Sequence, residues 1–364
     1  MIKNIQYLRF LAAFLVILAH ANLQIYGVPA TLTNLGGFGV DIFFIISGFI
    51  MPFILYGGMY KPGSKLKMDA GTFLLRRVIR IWPMYLFIIL TVMLVSVLTT
   101  RGIIANPSVD LFYIFNGSKL EFQWFLETVT FTHWNRPPLL NIGWTLQFEF
   151  IFYTAIALML FLRVKKFEAL ELGIFGFFFL FLMASFSTLP SSGFTKTLAN
   201  PVIFEFIMGM LLYRVVSSEV LLNKYAAIVI AVVTIPAFLY LELNFAFRLE
   251  SPFHRLFIYG PAAFMLVWAA LSLENQTREI KFFELLGDAS YSLYLVHGVV
   301  APLFVFFWTR YGFEQIVSVW FYLIAYTVVC HVVGITAHLK IEKPLNNLLK
   351  KIIQREKKCA PASL

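Results

Sequence analysis

The chain has 364 residues, of which 60% are hydrophobic and only 13% are charged. Soluble domains carry about 25% charged residues, so this composition excludes a soluble globular protein and indicates a polytopic membrane protein. The net charge of +10 does not indicate nucleic-acid binding, because Lys and Arg cluster between apolar runs, as in cytoplasmic loops of membrane proteins. The two cysteines, Cys330 and Cys359, form no framework or metal set, and we predict no disulfide.

Ten apolar runs are long enough to form membrane-spanning helices, which need about 20 residues each. We therefore predict an all-α membrane protein, a bundle of about ten transmembrane helices. The predicted spans are approximately 5–22, 36–56, 73–98, 142–162, 169–188, 200–216, 225–241, 254–272, 289–308 and 315–338.

Basic residues are concentrated in alternate connections between these spans. With the N-terminus in the cytoplasm, the inner segments hold 22 of the 29 Lys and Arg residues and the outer segments hold seven. This bias predicts that both termini are cytoplasmic, and we expect the protein to lie in the cytoplasmic (inner) membrane. We expect a transmembrane domain over 1–345 and a basic cytoplasmic tail over 346–364. The seven outer cations are Arg101, Lys119, Arg136, Lys196, Arg248, Arg255 and Arg310.

The first span, "YLRFLAAFLVILAHA", carries Arg9 and His20, eleven positions apart. At about 100° per residue the two side chains share one helix face, about 16 Å apart. Ionisable groups within a bilayer are costly, face the bundle interior and mark functional sites. The same stretch also resembles a signal peptide ending at Ala19-His20-Ala21; we expect it to be retained, so that His20 stays in the mature protein.

The second span begins "GGFGVDIFFIISGF", with Asp41 near its outer end and Ser47-Gly48 near its middle. A carboxylate is favoured at a helix N-terminus by the helix dipole, so Asp41 is either functional or structural. Ser47 lacks a nucleophile-elbow context, and we do not expect a serine nucleophile. The Ser-Gly pair instead favours close helix packing.

The third span begins "FLLRRVIRIWPMY", in which Arg77 and Arg80 share a helix face with i, i+3 spacing and Arg76 lies alongside. These arginines are either positive-inside anchors or phosphate ligands, since planar guanidinium groups match phosphate oxygens bidentately. The long outer stretch 99–141 that follows includes "KLEFQWFLETVTFTHW", which we predict to be amphipathic and to lie in the membrane interface.

The fourth span, "NIGWTLQFEFIFY", places Glu149 well inside the membrane. Glu149 either orients His20 and stabilises its charged form, as the acid does in a catalytic triad, or stays neutral and hydrogen-bonded to Trp144 or Tyr153. The sequence does not separate these two interpretations.

Three later features complete the set of ionisable residues. His297 in "SYSLYLVHG" lies mid-span with Ser290 on the same face, and packing or hydrogen bonding is favoured over catalysis. Glu205 is a buried acid without an obvious partner, and Glu342-Lys343-Pro344 is expected to end the last helix. The remaining histidines lack ligand spacing, and we predict no metal site. They are His133, His254, His331 and His338.

Five motifs occur in the order and spacing of one known family. They are "LRFLAAFLVILAHA", "GVDIFFIISGF", "RRVIRIWP", "GWTLQFEFIFY" and "LGDASYSLYLVH". From Ile5 to Pro344 the chain therefore resembles the acyltransferase-3 family of integral membrane acyltransferases. The Trp-Thr-Leu form of the fourth motif, preceded by "PLLNIGW", is most similar to the exopolysaccharide-modifying branch.

The resemblance implies an O-acyltransferase that moves an acyl group, often acetyl, from cytoplasmic acyl-CoA to a sugar hydroxyl of an exported or cell-surface polysaccharide or its lipid-linked precursor. Acyl-CoA is then a donor substrate, and no permanently bound cofactor is expected. The family's Arg-x10-His motif falls on Arg9 and His20, and its Arg-x-x-Arg motif falls on Arg77 and Arg80. Phe150 stands where many relatives have a second acid, so a role that needs paired carboxylates is not expected.

We therefore expect His20 to be the general base, because its reference pKa of about 6.5 suits proton transfer near neutral pH. Glu149 and Asp41 are the other catalytic candidates. The residues expected to bind acyl-CoA are Arg9, Arg76, Arg77 and Arg80, and those expected to line the site are Ser47, Trp144, Tyr153 and His297.

Two other classes of protein compete with this interpretation. A transporter or flippase of a lipid-linked glycan would use the buried charges as a substrate path or proton relay, but the sequence shows no repeated halves. A membrane scaffold or receptor would leave the buried Arg, His and Glu residues without a role.

Overall fold

The computed structural model describes residues 2–101, 121–186, 192–245 and 253–359, and the secondary structure of these residues is helical. Two π-helical turns, Arg255–Tyr259 and His338–Glu342, lead into the ninth and last of the longer helices. In chain order the longer helices are α1 (Lys3–Ala19), α2 (Phe38–Tyr56), α3 (Ala70–Thr100), α4 (Phe122–Val129), α5 (Trp144–Phe161), α6 (Phe167–Ser185), α7 (Ile203–Ser217), α8 (Lys224–Phe245), α9 (Gly260–Ser272), α10 (Lys281–Asp288), α11 (Ser290–Arg310), α12 (Val319–Ala337) and α13 (Lys343–Cys359).

The predicted all-α membrane fold is confirmed. Within the described ranges, nine segments are long and apolar enough to cross a membrane, and α1, with 17 residues, corresponds to the tenth predicted span. The fifth predicted span, 169–188, is helical as Phe167–Ser185, and its last two residues lie outside the described ranges. Lys119 and Arg248, counted as outer cations, also lie outside them. Cytoplasmic placement of the termini stays a prediction.

Close packing of α2 against α7 depends on two glycines. A Cβ added to Gly48 would lie 2.0 Å from the carbonyl oxygen of Phe206, and one added to Gly209 would lie 2.2 Å from that of Ile45. Such approach is possible only without side chains, as in membrane helix pairs that meet through small residues. The prediction of close packing is therefore correct for Gly48, whereas Ser47 points into a cavity.

The outer helices of the bundle present apolar side chains on their free faces. Leu180 on α6, Val232 on α8 and Trp320 on α12 are all well exposed. Lipid tails solvate such residues without cost, so an exposed apolar surface of this extent is expected of a membrane protein. The polar and ionisable groups are concentrated instead between the inner helices.

Residues 122–129 of the segment predicted to be amphipathic form α4, which is fixed to α3. The indole of Trp82 on α3 donates to the carbonyl of Val129 at 2.9 Å. Arg136 binds Glu127 at 2.8 Å and Glu121 at 2.9 Å. The hydrogen bond from Arg136 holds the pKa of the half-buried Glu127 carboxyl below its ordinary value.

The expectation that Glu342-Lys343-Pro344 ends the last helix is wrong. The chain continues from α12 through the π-helical turn His338–Glu342 into α13, Lys343–Cys359. Pro344 is tolerated because it lies in the first turn of α13, directly after a widened turn in which the hydrogen bonding already departs from the α pattern. This helix crosses the predicted boundary at 345/346, and the division into domain and tail stays a prediction.

Candidate active site

Five helices, α1, α2, α3, α5 and α11, enclose a cavity of about 340 Å³. This volume is within the range of small-molecule sites, which are largely apolar with a few polar groups that fix orientation. Most of its lining is apolar. The polar and charged lining residues are Gln6, Arg9, Ser47, Arg77, Arg80, Thr145, Glu149, Tyr153, Ser290, Tyr291 and Tyr294.

Helical spacing explains why these residues meet. On α2 the lining residues include Phe43, Ser47 and Ile50, and on α5 they include Glu149 and Tyr153. Intervals of three and four residues place side chains on one helix face. On each helix, the motif residues at these intervals therefore lie on the face that lines the cavity.

Glu149 lies inside the cavity and is hydrogen-bonded there. Its Oε1 accepts from the hydroxyl of Ser47 at 3.0 Å and from the hydroxyl of Tyr153 in a tight contact. The positive charges of Arg9 and Arg77 act on this carboxyl. Of the two interpretations left open by the sequence, the contact with Tyr153 is present, whereas the partners described for Glu149 do not include His20.

Arg77 and Arg80 both line the cavity, as their i, i+3 spacing predicts. Arg9 joins them from α1, and its guanidinium donates to Gln6 at 3.3 Å. Arg76, in contrast, is exposed and is absent from the described lining of the cavity. The adjacent position points away because successive helical residues diverge by about 100°.

A buried carboxylate, which the sequence had indicated only as a helix stop, contacts Arg80. Glu342 is fully buried, and its Oε1 accepts from Arg80 at 2.8 Å. Its other oxygen accepts from Ser292 at 2.6 Å and lies 2.7 Å from Nδ1 of His338. This network joins α3, α11 and the turn after α12. The i, i+4 spacing of His338 and Glu342 was the available signal for it.

His20 lies at the far end of α1, where it caps the helix. Its Nδ1 is 2.8 Å from the carbonyl oxygen of Val16. A carbonyl only accepts hydrogen bonds, so Nδ1 carries the proton and Nε2 keeps its lone pair. The ring centroid of His20 is 5.0 Å from that of His297, which is fully buried and lies 5.6 Å from the ring of Tyr294.

Arg9 and His20 were both expected in the site, but the described lining of this cavity includes only Arg9 of the two. Among the described lining residues, Arg9 is present and His20 and His297 are not. Tyr294 lines the cavity beside His297, and its hydroxyl lies 2.8 Å from Thr145 Oγ1 and 3.0 Å from the carbonyl of Ile142. The histidine pair therefore adjoins the part of the cavity that Tyr294 lines.

Asp41, one of the catalytic candidates, is engaged in an ion pair with Arg255, and its described partners do not include His20. Arg255 donates to the fully buried carboxylate through Nε at 3.1 Å and Nη2 at 2.5 Å. Its guanidinium also lies 5.9 Å from the ring of Trp144 and 5.2 Å from that of Tyr259. Trp144 and Asp41 therefore belong to a cluster beside the cavity and are absent from its described lining.

Two neighbours of these residues explain features that the sequence left open. Glu205, which had no obvious partner, is fully buried and interacts electrostatically with Asp41 and Arg255. Phe150, at the position of the missing second acid, stacks on Phe131 with a centroid distance of 4.1 Å. An aromatic contact takes the place of a charge there.

The fold and the site define a multi-pass membrane protein with an arginine-lined cavity, and the chain belongs to the acyltransferase-3 family. The family's sequence profile, described as an acyltransferase domain, matches residues 2–338. The resemblance inferred from the five motifs is thereby confirmed. The protein is a membrane acyltransferase.

One relative is similar over most of its length. The chain is 27% identical over 321 residues to the exopolysaccharide production protein ExoZ of Rhizobium meliloti (strain 1021). The match covers 86% of this chain and 90% of that protein. No solved structure matches the chain.

Proposed function

We propose that this protein is an O-acyltransferase that moves an acyl group from cytoplasmic acyl-CoA to a sugar hydroxyl of an exported polysaccharide or its lipid-linked precursor. The observation that carries the proposal is the cavity lined by Arg9, Arg77 and Arg80, whose lining residue Tyr294 lies beside His297 of the histidine pair. The similarity to a protein of exopolysaccharide production supports a polysaccharide acceptor. The proposed location is the cytoplasmic membrane.

The arginines are suited to the phosphates of coenzyme A. Planar guanidinium groups bind phosphate oxygens through paired, charge-assisted hydrogen bonds. Arg77 and Arg80 lie on the half of α3 that the positive-inside rule places toward the cytoplasm, where acyl-CoA is made. The apolar wall contributed by residues such as Ile50 and Ile81 then accommodates the acyl-pantetheine arm. Acetyl is the proposed acyl group.

His20 is proposed as the general base. Its protonated Nδ1 is held by the carbonyl of Val16 at 2.8 Å, which leaves Nε2 free to take a proton from the sugar hydroxyl. As that O–H bond breaks, the hydroxyl oxygen bonds to the thioester carbon and the C–S bond breaks. The proton returns to the departing thiolate, and the products are the sugar ester and free coenzyme A.

The first experiment follows radiolabel from acetyl-CoA into glycan, with the purified chain reconstituted in lipid vesicles. The His20→Ala substitution should lower the transfer rate at least about 100-fold, the typical contribution of a general base. His331→Ala is a matched control, because His331 Nδ1 also lies near an i−4 carbonyl, that of Thr327, at 2.7 Å.

Label that stays in acetyl-CoA with every glycan tested would contradict the proposed reaction. Movement of a lipid-linked glycan across the vesicle membrane without labelling would support the flippase alternative instead. Full activity of His20→Ala would refute the base assignment alone.

A further inference from the structure

We propose that Glu342 is the positioning residue of the donor site, which holds Arg80 ready for a phosphate group of coenzyme A. This inference rests on the proposed function and adds to it a residue outside the arginine and histidine motifs. The Glu342 carboxylate is fully buried and lies 2.8 Å from Nη1 of Arg80, whose side chain is 37% exposed and lines the cavity.

The orientation of Glu342 is itself fixed on both sides. Its Oε2 accepts a hydrogen bond from Ser292 on α11 at 2.6 Å and lies 2.7 Å from His338 one turn earlier. These two contacts occupy Oε2 and leave Oε1 to accept the hydrogen bond from Arg80. A carboxylate supported in this way fixes its partner more firmly than one on a free side chain does.

The backbone places the carboxylate where the cavity needs it. His338–Glu342 form a π-helical turn, and such turns are frequent at functional sites because they re-aim side chains without ending the helix. A helix that stopped at residue 342, as the sequence suggested, would leave this residue on a frayed end. The continuation into α13 instead keeps it in a fixed position.

Arginine benefits from such support because of its flexibility. Its side chain loses up to about 2 kcal/mol of rotamer entropy when it is ordered, and a partly exposed arginine near the membrane surface tends to extend toward water. One N–H group of Arg80 is used by Glu342, and a guanidinium has five N–H donors. The remaining donors are available for a ligand, already oriented before it binds.

A positioning role for Glu342 and a purely electrostatic role predict opposite effects of its removal on coenzyme A binding. Glu342 adds a negative charge close to where phosphates would bind, so by Coulomb's law alone its removal should tighten binding. If Glu342 holds Arg80, its removal should weaken binding. The sign of the change therefore separates the two roles.

The test measures equilibrium binding of coenzyme A to the full chain in lipid nanodiscs. Glu342→Ala should raise the Kd about tenfold, the consequence of losing about 1.4 kcal/mol. The double variant with Arg80→Ala should bind no more than about twofold worse than Arg80→Ala alone, because residues that act together are not additive. Glu342→Gln, which keeps an acceptor oxygen for Arg80, should fall between wild type and Glu342→Ala.

Glu171→Ala is the matched control for the loss of a buried acid. Glu171 is buried on α6, binds Arg214 on α7 and is absent from the described lining of the cavity. Its variant should bind coenzyme A with wild-type affinity even if it unfolds more easily. This control separates loss of folding from loss of positioning.

The outcomes that overturn the inference are distinct from those that overturn the function. Wild-type or tighter binding by both Glu342 variants, with weaker binding by Arg80→Ala, would refute the positioning role and leave the donor site intact. Additive losses in the double variant would also refute it. Failure of the wild-type chain to bind coenzyme A would remove the proposed donor, and this inference with it.

Discussion

Replacing Asp41 by asparagine should destabilise the protein without removing its chemistry. The carboxylate is fully buried and accepts two hydrogen bonds from Arg255, at 3.1 and 2.5 Å. The amide side chain would keep the shape and one acceptor oxygen, but Arg255 would lose the charge that balances it. Breaking a buried pair by removing one partner costs about 3–5 kcal/mol.

The structure places the cost at the lower end of that range. The Arg255 side chain retains 24% exposure, and Glu205 lies close enough to interact with it electrostatically. Both features compensate part of the unpaired charge, so we expect a loss of about 3 kcal/mol in the free energy of unfolding. Removing both charges in Asp41→Asn with Arg255→Met should cost less than Asp41→Asn alone, because no charge is then left unpaired.

Reversible unfolding in mixed micelles, followed by the denaturant midpoint, measures these costs for the wild type, both single variants and the double variant. Acyl-transfer rates are compared per folded molecule, and Asp41→Asn should stay within about threefold of wild type, less than the change expected for a residue acting on the transition state. A variant of unchanged stability that is inactive would refute the structural assignment and return Asp41 to the reaction.

Three further predictions concern packing, donor binding and pH. Arg77→Ala should raise the apparent KM for acyl-CoA about tenfold, through loss of a charge-assisted hydrogen bond, whereas Arg76→Ala, whose side chain is exposed, should leave it unchanged in the same initial-rate assay. Gly48→Ala puts a methyl group 2.0 Å from a carbonyl of α7 and should cost about 1–3 kcal/mol in micelle unfolding; an unchanged midpoint would contradict the close contact. Because Arg136 lowers the pKa of Glu127, their pairing holds at neutral pH and is lost as the pH falls through that lowered pKa; Arg136→Gln should raise the pKa of Glu127 in a carbon-13 NMR titration.

Much of the fold could be predicted because the features that identify a membrane-spanning helix lie within its own stretch of sequence. Length and apolarity identify a membrane helix locally, and all ten predicted spans have a helical counterpart. The faces of these helices were also predictable, since intervals of three and four residues fix which side chains lie together. Arg9, Arg77, Arg80 and Glu149 were found in this way, and they share one cavity.

Contacts between distant parts of the chain could not be predicted by the same means. Arg255 had been counted only as an outer cation, and its partner Asp41 is 214 positions away. Nothing local in either segment specifies that pairing. His20 and Arg9 share a helix face by periodicity, but periodicity does not reveal that the described lining of the cavity includes Arg9 and not His20.

Glu342 was missed for a different reason. A charged residue followed by Lys and Pro is a common helix stop, and the rule takes no account of a π-helical turn that lets the chain continue. In this turn Glu342 contacts Arg80, Ser292 and His338. Two of those contacts come from other helices, α3 and α11, so only the folded arrangement shows them.

The aromatic wall formed by Tyr294 and Phe43, whose rings meet at a centroid distance of 6.1 Å, bears on ion permeability. A cell keeps a voltage across its membrane, and each elementary charge that crosses 100 mV dissipates about 2.3 kcal/mol. A water-filled passage from the arginines to the histidine pair would conduct protons and drain that gradient. Tyr294 and Phe43 both line the cavity, and the Tyr294 hydroxyl is held by Thr145 and Ile142, so the two rings restrict a continuous water path through the bundle.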